Sequence, residues 1–254
     1  MAQDGTKAVA LVTGASYGVG SATAFALARA GFNLAVTATR QENLTTTEVE
    51  AAALGAQVLP LELDLRAAPS IEATVTAVLD RYGRLDVLVN NAAVNLRRKA
   101  VDVSRDEWNG LIETNLTGTF FLTQQVGRHL IAQRSPGRIV TIASAHAFVG
   151  AAERSTYGIS KAALVQMTRM LAIEWAEYGI RVNAVAPGRL DTPSPSRAGT
   201  ATDKAYMDAM LKRIPLHRLA TAEQVAGTVA FLASPAADTI TGQTIIIDGG
   251  ITAA

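Results

Sequence analysis

The sequence predicts a doubly wound α/β fold, in which a parallel seven-stranded sheet is covered by helices on both faces. Short runs rich in Val, Ile and Leu alternate with longer stretches of helical period, as in successive βαβ units. Runs such as VALV and IVTIA are almost continuously apolar, which is typical of strands buried on both faces. With 254 residues, 49% of them hydrophobic, the chain is long enough to bury one large core, and we expect residues 1–254 to form a single domain.

The pattern assigns the elements in chain order. The predicted strands cover residues 8–13, 34–37, 58–63, 85–90, 138–143, 181–185 and 244–247. The predicted helices cover residues 19–30, 71–82, 107–133 and 156–178. Three of the helices are followed by a glycine suited to a C-terminal cap, at Gly31, Gly83 and Gly179.

The segment 187–215 interrupts this alternation with Pro, Ser, Thr and Gly before a short amphipathic run. Long irregular segments inside compact domains often serve a binding site. We therefore predict a substrate lid over 189–215, with a merely mobile insertion as the alternative.

The composition argues against several classes of function. Lys and Arg number 23 against 22 Asp and Glu, so no strong net charge favours a nucleic acid or an anionic membrane. The absence of cysteine excludes thiolate chemistry, and His129, His146 and His217 lack the short spacings of a zinc site, so we expect no metal. No targeting or membrane-spanning pattern is present in the sequence, and we expect a cytoplasmic protein that acts on a small molecule.

A glycine-rich stretch follows the first predicted strand. In LVTGASYGVG, residues 11–20, the glycines Gly14, Gly18 and Gly20 stand where the strand turns into the first helix. Glycines allow close backbone approach, and the N-terminus of the helix offers N–H groups and a positive dipole to a diphosphate. An ordinary tight turn is the alternative, but the place in a βαβ series favours a dinucleotide-binding site.

The end of the second strand indicates which dinucleotide binds. In the general fold an acid near this position accepts the ribose 2′-hydroxyl of NAD, whereas an arginine accommodates the 2′-phosphate of NADP. This chain has Thr39 and Arg40 there and no carboxylate. Because a guanidinium can bind phosphate through two donors, NADP(H) is the preferred cofactor and NAD(H) remains possible. A solvated arginine at a strand end is the alternative.

STYGISK, residues 155–161, places a tyrosine and a lysine on one face of a predicted helix. Tyr157 and Lys161 are four residues apart, a spacing that is only weakly informative by itself. Reduction of a ketone needs a proton donor, and Tyr157 can supply that proton. A nearby ammonium favours the phenolate and lowers the pKa of a phenol, so Lys161 is its expected partner and can also hold ribose hydroxyls.

Two further polar residues complete the candidate site. Ser144 follows the predicted strand 138–143, at the sheet edge where such folds bind ligands, and its hydroxyl can bond a substrate oxygen. Asn115 lies in an otherwise apolar helical run, where a buried amide needs partners. The alternatives are a turn serine and a satisfied core amide.

Taken together, these motifs resemble those of the short-chain dehydrogenase/reductase family, over residues 7 to nearly the C-terminus. The matching segments are T-G-x-x-x-G-x-G at 13–20, LELDL at 61–65, NNAA at 90–93, ETNLTGTF around Asn115, IVTIASA around Ser144, the Tyr157 and Lys161 pair, IRVNAVAPG at 180–188 and ITGQTIIIDGG at 240–250. Each is weak alone, whereas their joint order and spacing are highly specific.

The resemblance implies an oxidoreductase with a catalytic tetrad, in which Asn115 acts through a water-mediated relay to Lys161. The implied tetrad is Asn115, Ser144, Tyr157 and Lys161. The implied cofactor contacts are Gly14, Ser16, Tyr17, Gly18, Val19, Gly20, Thr39, Arg40, Asp64, Leu65, Asn91, Ala92, Ala93, Tyr157, Lys161, Pro187, Gly188 and Thr192. Asp64 is expected on the adenosine side, Asn91 near the nicotinamide ribose and Thr192 at the carboxamide.

Two positions depart from the family pattern. The family usually has NNAG where this chain has NNAA, so Ala93 adds a methyl group where the backbone could need an unusual dihedral. Many NADP-preferring relatives carry a basic residue where Tyr17 stands, so the preference for NADP rests mainly on Arg40.

The sequence leaves the substrate open. Carbonyl reductases of the 3-oxoacyl type and NAD-dependent sugar or polyol dehydrogenases are the nearest classes, while Arg97, Arg98, Arg154 and His146 could recognise a substrate or be ordinary surface residues. Nucleotide-sugar epimerases need a longer C-terminal domain than this chain provides. A non-catalytic dinucleotide-binding regulator is a further alternative. The resemblance also implies a homo-oligomer, commonly a tetramer.

Overall fold

The computed structural model describes residues 7–191 and 204–254. In these residues the strands, in chain order, are β1 (Val9–Val12), β2 (Asn33–Ala38), β3 (Val58–Glu62), β4 (Val87–Asn90), β5 (Arg138–Ile142), β6 (Arg181–Pro187) and β7 (Thr244–Ile247). All described pairings are parallel, and the seven strands form one sheet in the order β3-β2-β1-β4-β5-β6-β7. The predicted doubly wound α/β fold is confirmed.

Helices connect the strands on both sides of the sheet. They are α1 (Gly18–Arg29), α2 (Thr45–Ala53), α3 (Ala68–Tyr82), α4 (Arg105–Ile112), α5 (Thr119–Ala132), α6 (Ser155–Trp175), α7 (Lys204–Arg213) and α8 (Ala222–Ala233). Short 3-10 turns cover Gln41–Leu44, Ala100–Asp102, Ala145–Ala147, Ala176–Tyr178 and Pro235–Ala237, and a π-helical turn covers Glu113–Gly118.

Two hydrophobic layers enclose the sheet, because alternate residues of each strand point to opposite faces. On one face Val12 and Val140 pack with Leu27 of α1 and Leu232 of α8. On the other face Leu11 belongs to a cluster that includes residues of α3, α5 and α6. All of these side chains are buried. The strand order reverses between β1 and β4, and ligands of open α/β sheets bind at the carboxyl edge of such a reversal.

The predicted helix over 107–133 is present as one continuous helical run over 105–132, but a π-helical turn inside it was not predicted. The chain forms α4 and α5, joined by the π-helical turn Glu113–Gly118. Gly118 lies against the loop that follows β3, so closely that a Cβ there would overlap the Leu65 carbonyl oxygen. π-Helical turns of this kind are frequent at functional sites. The close packing of Gly118 accompanies the π-helical turn, and sequence periodicity does not record a contact with a residue so distant along the chain.

Apart from α7, which covers the predicted amphipathic run, two described helices have no counterpart in the prediction, α2 and α8. Helix α8 begins with a capping box, in which the Thr221 and Gln224 side chains each bond the other residue's backbone N–H. The T-x-x-Q spacing was therefore a readable signal for its start. Helix α2 begins in a run of threonines, whose low helix propensity conceals it.

Much of the predicted lid over 189–215 lies outside the described residues, as does Thr192. Helix α7 covers the amphipathic run that the sequence places near the end of this segment. The assignment of this segment as a lid stays a prediction. Within the described part of the chain, no helix is both long and apolar enough to span a membrane, and no group of three acidic or histidine side chains is placed to hold a metal ion.

Candidate active site

The predicted site residues meet at the carboxyl edge of the sheet. The glycine-rich turn follows β1, Asn91 to Ala93 follow β4, Ser144 follows β5, and Gly188 follows β6. Helix α6 carries Tyr157 and Lys161 beside these loops. The parallel topology therefore brings together segments that lie far apart in the sequence.

The glycine-rich turn forms a cradle with space in front of a helix N-terminus. Gly14 has a φ of +63°, and a Cβ added there would lie 2.8 Å from the Ala92 Cα. A Cβ on Gly20 would overlap the Gly14 carbonyl oxygen, whereas one on Gly18 would meet nothing within 4 Å. The first turn of α1, wholly within the described residues, contains no acidic side chain. The turn therefore fits a diphosphate, which needs close backbone approach and free N–H groups.

Hydrogen bonds of Thr13 and Asn91 connect this cradle to the residues that follow β4. The Asn91 side-chain amide donates to the carbonyl oxygens of Thr13 at 2.9 Å and Gly14 at 2.8 Å. The Thr13 hydroxyl accepts from the backbone N–H groups of Asn91 at 2.9 Å and Ala92 at 3.0 Å. Thr13 was missed by the sequence reasoning, although it begins the glycine motif. Asn91 thus positions the cradle, and its contact with a ribose stays a prediction.

The expected adenosine side is open and carries charge. The Arg40 side chain is 75% exposed, and its Nη1 atom lies 3.7 Å from a carboxylate oxygen of Glu42. Thr39 beside it is also exposed. Asp64 receives a bidentate contact from Arg66, at 3.0 and 2.8 Å, and these hydrogen bonds lower the pKa of the Asp64 carboxyl. The Arg40 side chain can therefore turn toward a ligand, because its ion pair with Glu42 is long and exposed to solvent. Two hydrogen bonds already hold the Asp64 carboxylate to Arg66.

The remaining predicted cofactor contacts line the same edge. They include the half-buried Ser16 and Val19, the exposed Tyr17, the buried Leu65 and Pro187, and Gly188, whose N–H donates to the Ile247 carbonyl oxygen at 2.9 Å. Ala93 is exposed and is not among the described non-glycine residues with a positive φ. Its methyl group therefore causes no backbone strain.

The side chain of Lys161 extends from α6 to β5 and is buried. Its Nζ atom donates to the Ile142 carbonyl oxygen at 2.7 Å and lies 5.7 Å from the centre of the Tyr157 ring. Burial lowers the pKa of the Lys161 ammonium from its ordinary value of 10.5 to about 8. The predicted neighbourhood of the phenol and the lysine is present, with an ammonium that is easier to deprotonate than one in water.

Ser144 contacts the backbone of His146, and the His146 ring contacts the Tyr157 ring. Ser144 is buried, and its Oγ atom accepts from the His146 backbone N–H at 3.2 Å in the 3-10 turn that follows β5. The His146 ring contacts the Tyr157 ring edge to face, with centres 6.2 Å apart. Burial and the Arg154 charge lower the pKa of His146, which favours its neutral form. The buried Nδ1 atom of His146 has no hydrogen-bond partner among the described residues.

Asn115 connects the loop after β4 to α6. Its Oδ1 atom accepts from the Val94 N–H at 2.8 Å, and its amide donates to the Val94 carbonyl oxygen at 2.9 Å and to Ser160 Oγ at 3.2 Å. The Ser160 hydroxyl in turn donates to the Tyr157 carbonyl oxygen at 2.8 Å. This amide is a satisfied buried group, and it positions the turn that carries Tyr157. Ser160 was missed because a serine on a helix gives no signal by itself.

Charged side chains at the mouth of the site are held in pairs. Arg97 contacts Glu153 at 2.6 Å, Arg98 contacts Glu107 at 2.5 Å, and Arg154 donates to Asn95 Oδ1 at 2.5 Å. The Arg97 and Arg154 contacts join the loops 94–99 and 148–154, and the Arg98 contact joins the first of these loops to α4. They support a structural role for the three arginines in shaping the mouth of the site.

We expect Lys161→Met to stabilise the protein at pH 7 by about 2 kcal/mol, because an ammonium no longer has to be buried. Below pH 8 Lys161 is protonated in both the folded and the unfolded state, so the full free-energy cost of burying its ammonium applies. Between about pH 8 and 10.5 only the unfolded state keeps it, so the free energy of unfolding of the parent rises with pH and its difference from the variant shrinks.

Denaturant unfolding at several pH values, without nicotinamide nucleotide, measures this effect. The exposed Lys212→Met is the matched control and should change neither stability nor its pH dependence. A Lys161→Met variant that is less stable than the parent at pH 7 would contradict the expectation.

Known proteins resemble the chain over nearly its whole length. The family model described as Enoyl-(Acyl carrier protein) reductase matches residues 14–252. The chain is 37% identical over 248 residues to the 3-oxoacyl-(acyl-carrier-protein) reductase of Synechocystis sp., covering 97% of this chain and 97% of that protein. It is 36% identical over 242 residues to the 2-dehydro-3-deoxy-D-gluconate 5-dehydrogenase of Escherichia coli, covering 95% of this chain and 94% of that protein.

A solved structure extends the similarity to three dimensions. The crystal structure of actinorhodin polyketide ketoreductase with NADPH matches the fold with a TM-score of 0.92 and 37% sequence identity. The match covers 98% of this chain and 98% of that one. The similarity therefore includes the cradle, the helix that carries Tyr157 and every strand of the sheet.

Proposed function

The chain belongs to the short-chain dehydrogenase/reductase family, and on that premise we propose that it transfers a hydride between NADP(H) and a ketone or secondary alcohol. The observation that carries this proposal is the Nζ atom of the buried Lys161, 5.7 Å from the centre of the Tyr157 ring, on a helix that packs against the turn following Ser144. A phenol next to a buried ammonium is a proton donor of adjustable acidity, and a ketone needs a proton as it accepts a hydride.

Each residue has a distinct proposed role. The cofactor, when bound, supplies or accepts the hydride. In reduction, the Tyr157 hydroxyl donates its proton to the substrate oxygen as that oxygen becomes an alcohol. The Ser144 hydroxyl donates a hydrogen bond to the same oxygen, which favours the developing negative charge. In oxidation, the Tyr157 phenolate accepts the proton of the alcohol.

Lys161 adjusts the acidity of Tyr157. A positive charge near the ring stabilises the phenolate over the phenol. Because the Lys161 ammonium is buried and donates to the Ile142 carbonyl oxygen, its position is fixed and little solvent screens it. Asn115 keeps the backbone of this turn in place through Ser160. We therefore regard Asn115 as a positioning residue and Tyr157, Ser144 and Lys161 as the catalytic residues.

The cofactor preference rests on Arg40. An exposed guanidinium at the end of β2 suits a 2′-phosphate, whereas a 2′-hydroxyl would need an acceptor there. The bound NADPH of actinorhodin polyketide ketoreductase supports the same choice. NAD(H) stays possible, because the ion pair with Glu42 competes for the guanidinium.

A 3-oxoacyl group is the first candidate substrate, supported by the name of the Synechocystis relative. A sugar acid is the second, supported by the name of the 2-dehydro-3-deoxy-D-gluconate 5-dehydrogenase relative. Absorbance assays with NADPH and NADH against 3-oxoacyl thioesters and keto sugar acids would distinguish the two. If the folded protein binds NADPH but turns over no ketone, a non-catalytic dinucleotide-binding regulator becomes the better interpretation.

We also propose a homo-oligomer, a tetramer by family resemblance. Helices α5 and α6 leave the apolar side chains of Phe121, Met170 and Ile173 exposed, the last by 77%. Ile173→Glu is expected to give a smaller species in light scattering, because a charge would be buried at a subunit contact. Glu174→Gln, at an exposed neighbouring position, is the control. A parent protein that is monomeric would contradict this proposal.

The cytoplasmic location and the lid over 189–215 stay predictions. The cysteine-free composition is compatible with a reducing compartment. Both can be examined independently of the catalytic proposal, by localising a tagged chain and by shortening the segment.

A further inference from the structure

We propose that a cavity at the amino-terminal edge of the sheet, opposite to the candidate active site, binds a small oxyanion such as a phosphate or carboxylate group. The cavity has a volume of about 370 Å³ and opens beside the first residues of β5 and β6. Arg138, Arg181, Asp238 and Thr241 are among its lining residues. We call it the β5–β6 cavity. None of the proposed catalytic or cofactor residues lines it.

Two arginines stand side by side in this cavity. Arg138 and Arg181 are direct partners in the register of β5 and β6. Their side chains leave the same face of the sheet, because Val140 and Val185, an even number of residues further along each strand, belong to one core cluster. Like charges directly opposite each other on neighbouring strands repel. An anion between them would remove this repulsion.

The protein neutralises this pair only in part. The Arg181 guanidinium donates to two neutral carbonyl oxygens, those of Leu232 at 2.9 Å and Ser234 at 3.2 Å. A carboxylate oxygen of Asp238 lies 3.6 Å from Arg181 Nη2, beyond hydrogen-bond distance, and the Asp238 side chain is 62% exposed. Burial and the neighbouring Arg138 charge both lower the pKa of Arg181, as expected for a crowded cation. One exposed carboxylate thus stands against two guanidinium groups.

Arg138 also carries a donor that the fold does not use. Its Nε atom is buried and has no hydrogen-bond partner among the described residues. Buried donors without a partner are rare in folded proteins, and each calls for an explanation. A guanidinium presents its donors as a fork that matches two oxygens of an oxyanion. Because Arg138 lines the cavity and Arg181 is fixed by its two carbonyl partners, the proposal gives Arg138 the direct contact with the anion, while Arg181 adds charge.

Calorimetric titration of the full-length protein with inorganic phosphate, sulfate and acetate, at constant ionic strength with chloride, tests the proposal. We expect saturable binding that Arg138→Gln weakens by about tenfold, because a charge-assisted contact is lost. Asp238→Asn should strengthen binding by about threefold, because a competing carboxylate is removed. These changes have opposite directions, so loss of folding cannot produce both.

Two further variants locate the binding. Arg29→Gln, at the exposed end of α1 near the same edge of the sheet, should leave the affinity unchanged. Binding that Arg40→Gln removes and Arg138→Gln leaves intact would assign the anion to the cofactor cradle and overturn the proposal. Absence of saturable binding for all three anions would overturn it as well. Preference for phosphate and sulfate over acetate would identify the ligand as a phosphate group, and the reverse preference would identify a carboxylate.

Discussion

Tyr157→Phe is expected to lower kcat by about a thousandfold while the dissociation constant for NADPH stays close to that of the parent. Phenylalanine keeps the ring that packs against His146 but lacks the hydroxyl that would donate the proton. The proton would then have to come from water, which is a much weaker acid than a phenol. Steady-state assays with the best ketone from the substrate screen, together with NADPH titration by fluorescence, measure both quantities.

A conservative substitution and a matched control make this prediction specific to the Tyr157 hydroxyl. The ring of Tyr157 contacts His146 and lies near Lys161, and phenylalanine keeps this ring, so removal of the one oxygen atom is expected to leave the fold intact. Tyr178→Phe, in the 3-10 turn after α6, is a matched control outside the site and should retain parental kcat. Turnover of Tyr157→Phe at the parental rate, with normal binding of NADPH, would show that another group supplies the proton.

The second large effect concerns the cofactor. Arg40→Asp is expected to raise the KM for NADPH by about a hundredfold while changing the KM for NADH little. The variant loses a charge-assisted contact with the 2′-phosphate and places a carboxylate next to it. That carboxylate can accept a hydrogen bond from the 2′-hydroxyl of NADH, as the general dinucleotide fold does. Initial rates over a range of each cofactor measure the discrimination.

A change at Glu42 gives the opposite prediction for the same guanidinium. Glu42 lies 3.7 Å from Arg40 in an exposed pair, so Glu42→Gln should lower the KM for NADPH by about twofold. Arg29→Gln is the control for the loss of a surface positive charge. Equal changes in KM for both cofactors in Arg40→Asp would contradict the assignment of Arg40 to the 2′-phosphate.

The fold was predictable because its strands are short and apolar, and the five inner strands are buried on both faces. The predicted positions of all seven strands agree with the described ones to within a few residues, and the sequence signals of the glycine turn and of the Tyr157 and Lys161 spacing are equally local. Helix α2 was not predicted, because the threonines at its start do not favour a helix. The π-helical turn between α4 and α5 was not predicted, because its close packing involves Gly118 and the Leu65 carbonyl, which belong to different elements.

The sequence by itself determined the class of fold, the cradle for a dinucleotide and the residue types available for proton transfer, since these depend on period, glycine placement and spacing within a few residues. Only the tertiary structure decided how those residues are held. It buries Lys161 against the Ile142 carbonyl, joins Asn115 to Ser160 across 45 positions, and sets Arg138 beside Arg181. Such contacts arise when strands and helices pack, because the distance between two side chains in space does not follow from their separation along the chain.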